Sequence, residues 1–377
     1  MKKKFDAVVA GHICLDIFPT FKPGKAGLKE ILIPGKLVDI GEAHLSPGGP
    51  VPNTGVNLKK LGLRISLMGK TGGDPFGRIL LDLLSDRSGT EGMSVAKDGQ
   101  TSYSVVLAPP GVDRIFLHNP GANDTYSSDD IDYRIVKNSR LFHFGYPPLM
   151  KRMYQDKGRE LAAIYKKVKG LGTITSIDLA LPDPDSAAGR VDWKIILKSV
   201  MEFVDIFLPS AEELMFMLDR RRFDAIRKKA AGQDAVEFYS LADIRKMADQ
   251  LLGMGAKIVV LKAGKRGAYL HTASAERLKK IPEMTEKRLE DWADRELWGK
   301  PFKPAKFVSS TGAGDSFIAG FLTAFLRGLS AEESLRAANC VASQNVTAMD
   351  ATSGVKSWKE TVRLLKKLPD NIGNLDR

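Results

Sequence analysis

The sequence predicts an α/β protein: a doubly wound, mostly parallel sheet flanked by helices, with a small β-sheet set apart from it. Three observations predict this. Strand-like and helix-like segments alternate over most of the length. The strand-like runs are short, apolar or β-branched throughout, and end in polar or glycine residues, as strands buried on both faces do. The alternation pauses at residues 101–123, where two β-rich runs flank the turn composition PPGVD, a hairpin signal.

In chain order, residues 5–10 form the first strand, with a turn at Gly11 and a loop around Lys22. The stretch SPGGPVPNTGVNLKKLG opens as a glycine- and proline-rich loop and becomes a helix near Asn53. RISLMG from Arg64 is a strand, and DPFGRILLDLLSD from Asp74 a helix with an apolar face. After the hairpin come strands at LFHFG from Leu141, TITSID from Thr173, VDIFLPS from Val204 and AKIVVLKAG from Ala256. Helices are expected between them at residues 150–169, 211–218 and 241–253. The basic stretch 220–240 and the charged stretch 275–304 read as surface insertions in a single domain spanning 1–377.

At 377 residues with 43% apolar content, the chain is long enough for a sizeable core. Cys14 and Cys340 lie too far apart for a disulfide framework or a C-x-x-C metal pair. The start MKKKFDAVVAG lacks the long apolar stretch of a signal peptide, and no apolar run approaches the ~20 residues that cross a bilayer. A soluble protein of the reducing cytoplasm is expected, with no membrane partner. The net charge of +12 suits nucleic acid or small anions such as ATP. The strongest basic cluster, DRRRFDAIRKKAAG, carries aspartates and a single aromatic, so it is read as a solvated face and no nucleic-acid partner is expected.

The most informative stretch is VSSTGAGDSFIAGF, from Val308 to Phe321. Gly312 and Gly314 bare the backbone just where a long apolar helix begins. The first N–H groups of a helix lack intrahelical partners, and the helix dipole adds partial positive charge, so the loop suits an anion. The dipole is expected to keep Asp315 ionised. No lysine follows the glycines as in a P-loop, and Phe317 stands where a dinucleotide fingerprint needs its third glycine. The plain alternative is a helix start capped by Asp315.

STGAGDSFIAGF resembles the C-terminal signature D-T-x-G-A-G-D of the ribokinase-like (phosphofructokinase-B) carbohydrate kinases. SPGGPVPNTGVNLKKLG with GKTGGDPFG resembles their N-terminal signature, GHICLDIFP their first strand and substrate aspartate, LPSAEEL their N-x-x-E motif, and VVLKAGKRGAYL their nucleotide-side G-x-x-G strand. These occur in family order from about residue 6 to residue 353. The resemblance implies a ribokinase-like fold whose small β lid comprises residues 14–45 and 93–119. It implies that Asp315 is the catalytic base and that Gly312, Ala313 and Gly314 form the anion hole. Asp16, Gly48, Gly49 and Asn53 match residues that hold acceptor hydroxyls. Lys262, Gly264, Gly267, Thr311 and Asn339 match the nucleotide side, and Glu213 matches the glutamate that orients Mg²⁺ through water. The implied activity is transfer of the γ-phosphoryl group of ATP to a hydroxymethyl group of a sugar or nucleoside, in a homodimer joined through the lid.

Three positions depart from the pattern, one being Ser310 where the signature has threonine. Ser309 replaces the aspartate that helps coordinate an activating monovalent cation, which leaves potassium activation in doubt. Ser210 replaces the asparagine of N-x-x-E. These departures favour a second class, a non-catalytic sugar or nucleotide sensor on the same fold. A nicotinamide-dependent dehydrogenase lacks its fingerprint. A sugar phosphate acceptor would need a basic cluster near the lid, for which Lys22, Lys25 and Arg114 are candidates. His12, His44, His118, His143 and His271 show no metal spacing; His143 is expected to be structural or to touch substrate. Asp178 ends a strand on the active edge of an open sheet and is a weaker candidate.

Overall fold

The computed structural model describes residues 3–21, 31–85, 89–109 and 115–375. Lys22, Lys25 and Arg114 lie outside them. The main sheet has nine strands in the order Ile372–Asn374, Glu296–Gly299, Ala268–Thr272, Ile258–Lys262, Ile206–Phe207, Ile174–Ile177, Ser139–Gly145, Phe5–Gly11, Ile65–Met68. From Ile65–Met68 to Ile258–Lys262 every pairing is parallel. The last three strands add in antiparallel fashion.

Alternation along each strand divides the core into two layers. Val8 and Ala10 face one layer, while Ala7 and Val9 face the other. The helices Arg159–Gly170, Ala211–Leu218 and Leu241–Met254 cover the first face. Pro50–Lys60 and Ala313–Leu326 cover the second. Both faces of the sheet are therefore covered, which explains why its strands are apolar throughout rather than alternating.

A second sheet of four strands has the order Ala43–Gly48, Cys14–Pro19, Tyr103–Leu107, Ile115–Asn119. The hairpin read at residues 101–123 is its antiparallel pair. The lid departs from its expected bounds at two places. Ser94–Ala96 pairs with Lys70–Gly72 in a separate two-stranded sheet, and the lid strand that begins at Ala43 continues to Gly48.

Three further expectations are corrected. The helix expected over 150–169 is broken: Asp156 and Lys157 take positive φ, and Gly158 turns against Ile196 before Arg159–Gly170 begins. Stretch 220–240 is not mere surface decoration, because its helix Arg220–Ala230 buries Phe223, Ile226 and Ala230. Stretch 275–304 is not a surface excursion either. It buries Trp292 completely and supplies Glu296–Gly299 to the main sheet. Among the described residues no helix is long and apolar enough to cross a membrane.

Candidate active site

The strand order reverses direction between Phe5–Gly11 and Ser139–Gly145. A crevice opens outside the carboxyl ends of strands at such a switch point. Gly11 and Gly145 pair across it, and the residues that follow them, His12 and Tyr146, project the chain into the site. Tyr146 is a non-glycine residue with φ of 60°, backbone strain of the kind that persists where the surroundings enforce it.

The residues expected on the acceptor side gather here. Asp16 sits on the first lid strand opposite Ser46, and a Cβ at the neighbouring Gly48 would collide with its carboxylate. Burial pushes the Asp16 pKa up to about 6; hydrogen bonds from Cys14 and Ser104 pull against this, and Asp315 adds to it. Gly49, with φ of 88°, leads into the helix Pro50–Lys60, which carries Asn53. Asn53 Nδ2 donates to Asp315 Oδ2 at 3.0 Å, so the two signature stretches form one surface.

Asp315 is 2% exposed. Its other oxygen accepts from the Tyr146 hydroxyl at 3.1 Å and lies 3.5 Å from the Thr54 hydroxyl. The helix start at Gly312 has no side-chain cap, so a capping role for Asp315 is set aside. The expectation of an acidic, low-pKa carboxylate is also corrected. Burial raises the Asp315 pKa above the usual value, and Asn53, Lys262, Tyr146 and Thr54 only partly offset it. The helix-dipole argument neglected desolvation, the larger effect at a site closed to water. Gly312 has φ of 70°, and a Cβ there would strike Ala351. Gly312→Ala is therefore expected to cost about 1–3 kcal/mol and to displace the loop, read as a lower denaturation midpoint together with a lower kcat.

On the far side of Asp315 lies a cleft of about 1290 Å³. Ala313 and Gly314 line it, together with Lys262, Gly264, Gly267, Glu213 and Asn339. So do residues 232–236 of the stretch read as surface decoration. Asn339 is 5% exposed, and its Nδ2 has no hydrogen-bond partner among the described residues. Lys262 Nζ is 2.8 Å from Asp178 Oδ1. Burial disfavours the Lys262 ammonium, but Asp178, Glu213 and Asp315 outweigh it and hold its pKa above the usual lysine value. Burial pushes Asp178 up to about 8 despite Lys262, with Glu213 and Asp315 adding to the shift.

Glu213 also completes a capping box. Ser210 N–H donates to Glu213 Oε2 at 2.7 Å, and Glu213 N–H donates to Ser210 Oγ at 3.1 Å. The serine in place of asparagine thus starts the helix Ala211–Leu218 and fixes the glutamate at the cleft wall. Ser309 spends its hydroxyl locally, accepting from Thr311 N–H and donating to Thr311 Oγ1 at 2.9 Å, while Asn345 holds the Thr311 carbonyl.

His143 lies within the main sheet, fully buried, with Nδ1 3.0 Å from Ser176 Oγ. Burial and then Lys262 push its pKa down to about 3, so it is a structural neutral imidazole. Sequence reasoning missed Tyr146 and Thr54 beside Asp315 and underrated Asp178. The Pro-Pro after Tyr146 was the available sign of a forced turn at the strand end. Nothing local marks Thr54, which simply follows Asn53.

The sequence pattern of the pfkB family of carbohydrate kinases matches residues 26–358. A protein of Archaeoglobus fulgidus described as an uncharacterized sugar kinase is 26% identical over 300 residues, covering 80% of this chain and 98% of its own. The 5-dehydro-2-deoxygluconokinase of Clostridium perfringens is 24% identical over 388 residues, covering 99% and 96%. Among solved structures, Arabidopsis thaliana ribokinase complexed with ribose and ATP aligns with a TM-score of 0.68 at 20% identity, over 97% and 99% of the two chains. At that identity the likeness concerns the fold alone.

Proposed function

Because the chain belongs to the pfkB family of carbohydrate kinases, we propose that it transfers the γ-phosphoryl group of ATP to a hydroxymethyl group of a sugar or related small polyhydroxy compound. One observation carries this reading: Asp315 lies between the acceptor residues and the cleft, bonded to Asn53 and Tyr146 at the start of a glycine-flanked helix. In the proposed reaction the acceptor oxygen bonds to phosphorus as the bridging P–O bond breaks. ADP leaves, and the acceptor proton passes to Asp315. Backbone N–H groups at Gly312–Gly314 and the Lys262 ammonium stabilise the phosphoryl charge. Asp16, Gly48, Gly49 and Asn53 hold the acceptor; vicinal hydroxyls suit a carboxylate and an amide.

ATP occupies the cleft in this reading, with its base towards Asn339, whose unpartnered Nδ2 supplies a donor, and with Gly264 and Gly267 on the nucleotide side; Thr311 does not line the cleft. Mg²⁺ fits the hard carboxylate oxygens of Glu213 and Asp178; Asp178 Oδ2 has no hydrogen-bond partner among the described residues. When bound, the ion would neutralise phosphate charge. With Ser309 committed to Thr311, we assign no monovalent cation. The homodimer we propose uses the lid, where Leu45, Phe116 and Leu117 are 43%, 53% and 54% exposed.

The test is ADP release from ATP and Mg²⁺ against a panel of sugars, sugar acids and nucleosides. Turnover with a sugar or sugar acid is expected. Turnover confined to nucleosides would move the assignment to a nucleoside kinase. Thermal stabilisation by a sugar with no ADP from any acceptor would replace it with a sensor.

A further inference from the structure

Three residues that the proposed reaction leaves unused meet at the junction of the lid and the main sheet. His12 lies between the first two strands, Cys14 opens the first lid strand, and His118 comes from the lid hairpin about a hundred residues later. One ligand atom from each lies within 4.8 Å of the others. The two Nε2 atoms face each other at 3.3 Å. With Zn–N of ~2.0–2.1 Å and Zn–S of ~2.3 Å, ligand atoms on a tetrahedral ion stand roughly 3.3–3.6 Å apart. The nitrogens already have that spacing, and the sulfur stands within 4.8 Å of both.

The surroundings favour ligation. Ser104 Oγ is 3.0 Å from His118 Nδ1, the outer contact that turns Nε2 towards His12. His12 Nδ1 is buried with no partner among the described residues. Cys14 Sγ is 3.2 Å from Asp16 Oδ1, and that carboxylate can take the thiol proton when sulfur binds a metal. His118 is only partly buried, which leaves the ion a way in.

We propose that His12, Cys14 and His118 form a binding site for a thiophilic divalent ion of the Zn²⁺ class. The ligand set, two imidazoles and a thiolate with a fourth position open, is that of soft-metal sites and not of Mg²⁺. The site adjoins Asp16, so a bound ion competes with the acceptor and not with ATP. It stands independently of the kinase assignment.

The test uses the full chain, stripped with chelator, titrated with Zn²⁺ alone and Co²⁺ alone. One ion per chain is expected, with a thiolate-to-cobalt charge-transfer band and no displacement by excess Mg²⁺. Cys14→Ser should abolish that band. His118→Gln and Ser104→Ala should each weaken binding by roughly tenfold or more. His44→Gln, on an exposed lid histidine outside the cluster, should leave binding unchanged. No stoichiometric binding, a cobalt spectrum without the thiolate band, or equal loss in His44→Gln would overturn the proposal. The first outcome would reduce the His12–His118 contact to an N–H···N hydrogen bond. Should Cys14→Ser fail to fold, the partly exposed His118→Gln decides the matter.

Discussion

Asp315→Asn is expected to lower kcat by about 10²–10⁴ while leaving ATP affinity within a few-fold of the parent. The amide keeps the size of the carboxylate and can still accept from Asn53 or Tyr146, but it cannot take the acceptor proton. Single-turnover phosphoryl transfer and binding of a fluorescent ATP analogue separate the two effects. A variant with near-normal turnover would remove Asp315 from the chemistry. The parent's kcat/KM should fall on the acid side with an apparent pKa above that of an ordinary aspartate, because burial raises the Asp315 pKa and the base must be ionised. Asp16, pushed up to about 6 and coupled to Asp315, shares that limb. In Asp315→Asn the limb should shift to the value of Asp16 alone.

Lys262→Met is expected to lose about 1–2 kcal/mol more stability than the parent between pH 6 and pH 9. The substitution keeps the length of the side chain and removes the charge facing Asp178, which is 1% exposed and has one oxygen without a partner among the described residues. Burial raises the Asp178 pKa from 3.8 unfolded to about 8 folded, so between those values the native state holds more protons than the unfolded chain. Its contribution is complete below 3.8 and is lost as pH rises through about 8. In the parent, Lys262 limits that loss. In the variant nothing does, so the deficit should be small at pH 6 and large at pH 9 by urea denaturation. Adding Asp178→Asn should restore much of the stability at high pH. A deficit equal at both pH values, or a double variant no more stable than the single one, would show that Lys262 acts through packing instead.

The parallel strands were legible because each is a run such as IVVLK, buried on both faces and apolar throughout. The glycine loop and Asn53 were legible because their signatures are contiguous. The antiparallel extension was not: Glu296–Gly299 is a short strand set in a charged stretch. The break near Asp156 was hidden by helix-forming neighbours. The Asp178–Lys262 pair joins two strand ends 84 residues apart, and no local pattern announces such a contact. The direction of the Asp315 pKa shift was misjudged for a related reason. A dipole can be inferred from sequence, but the depth of burial depends on elements packed from elsewhere. His12, Cys14 and His118 likewise fit no local metal spacing, because a loop and two separate strands supply them.

The bond between Asn53 and Asp315 joins positions 262 residues apart. On the ribosome, the residues assigned to the acceptor emerge early, and the carboxylate assigned as base emerges only after nearly all of the main sheet. Every residue from Asp315 to Leu326 is buried, so that helix docks as part of the core. Its contacts with Pro50–Lys60, such as Asn57 Nδ2 to Ser316 Oγ at 3.0 Å, are non-local and slow to form. Under the proposed assignment an interrupted chain is left without its base, so competence arrives together with completed folding.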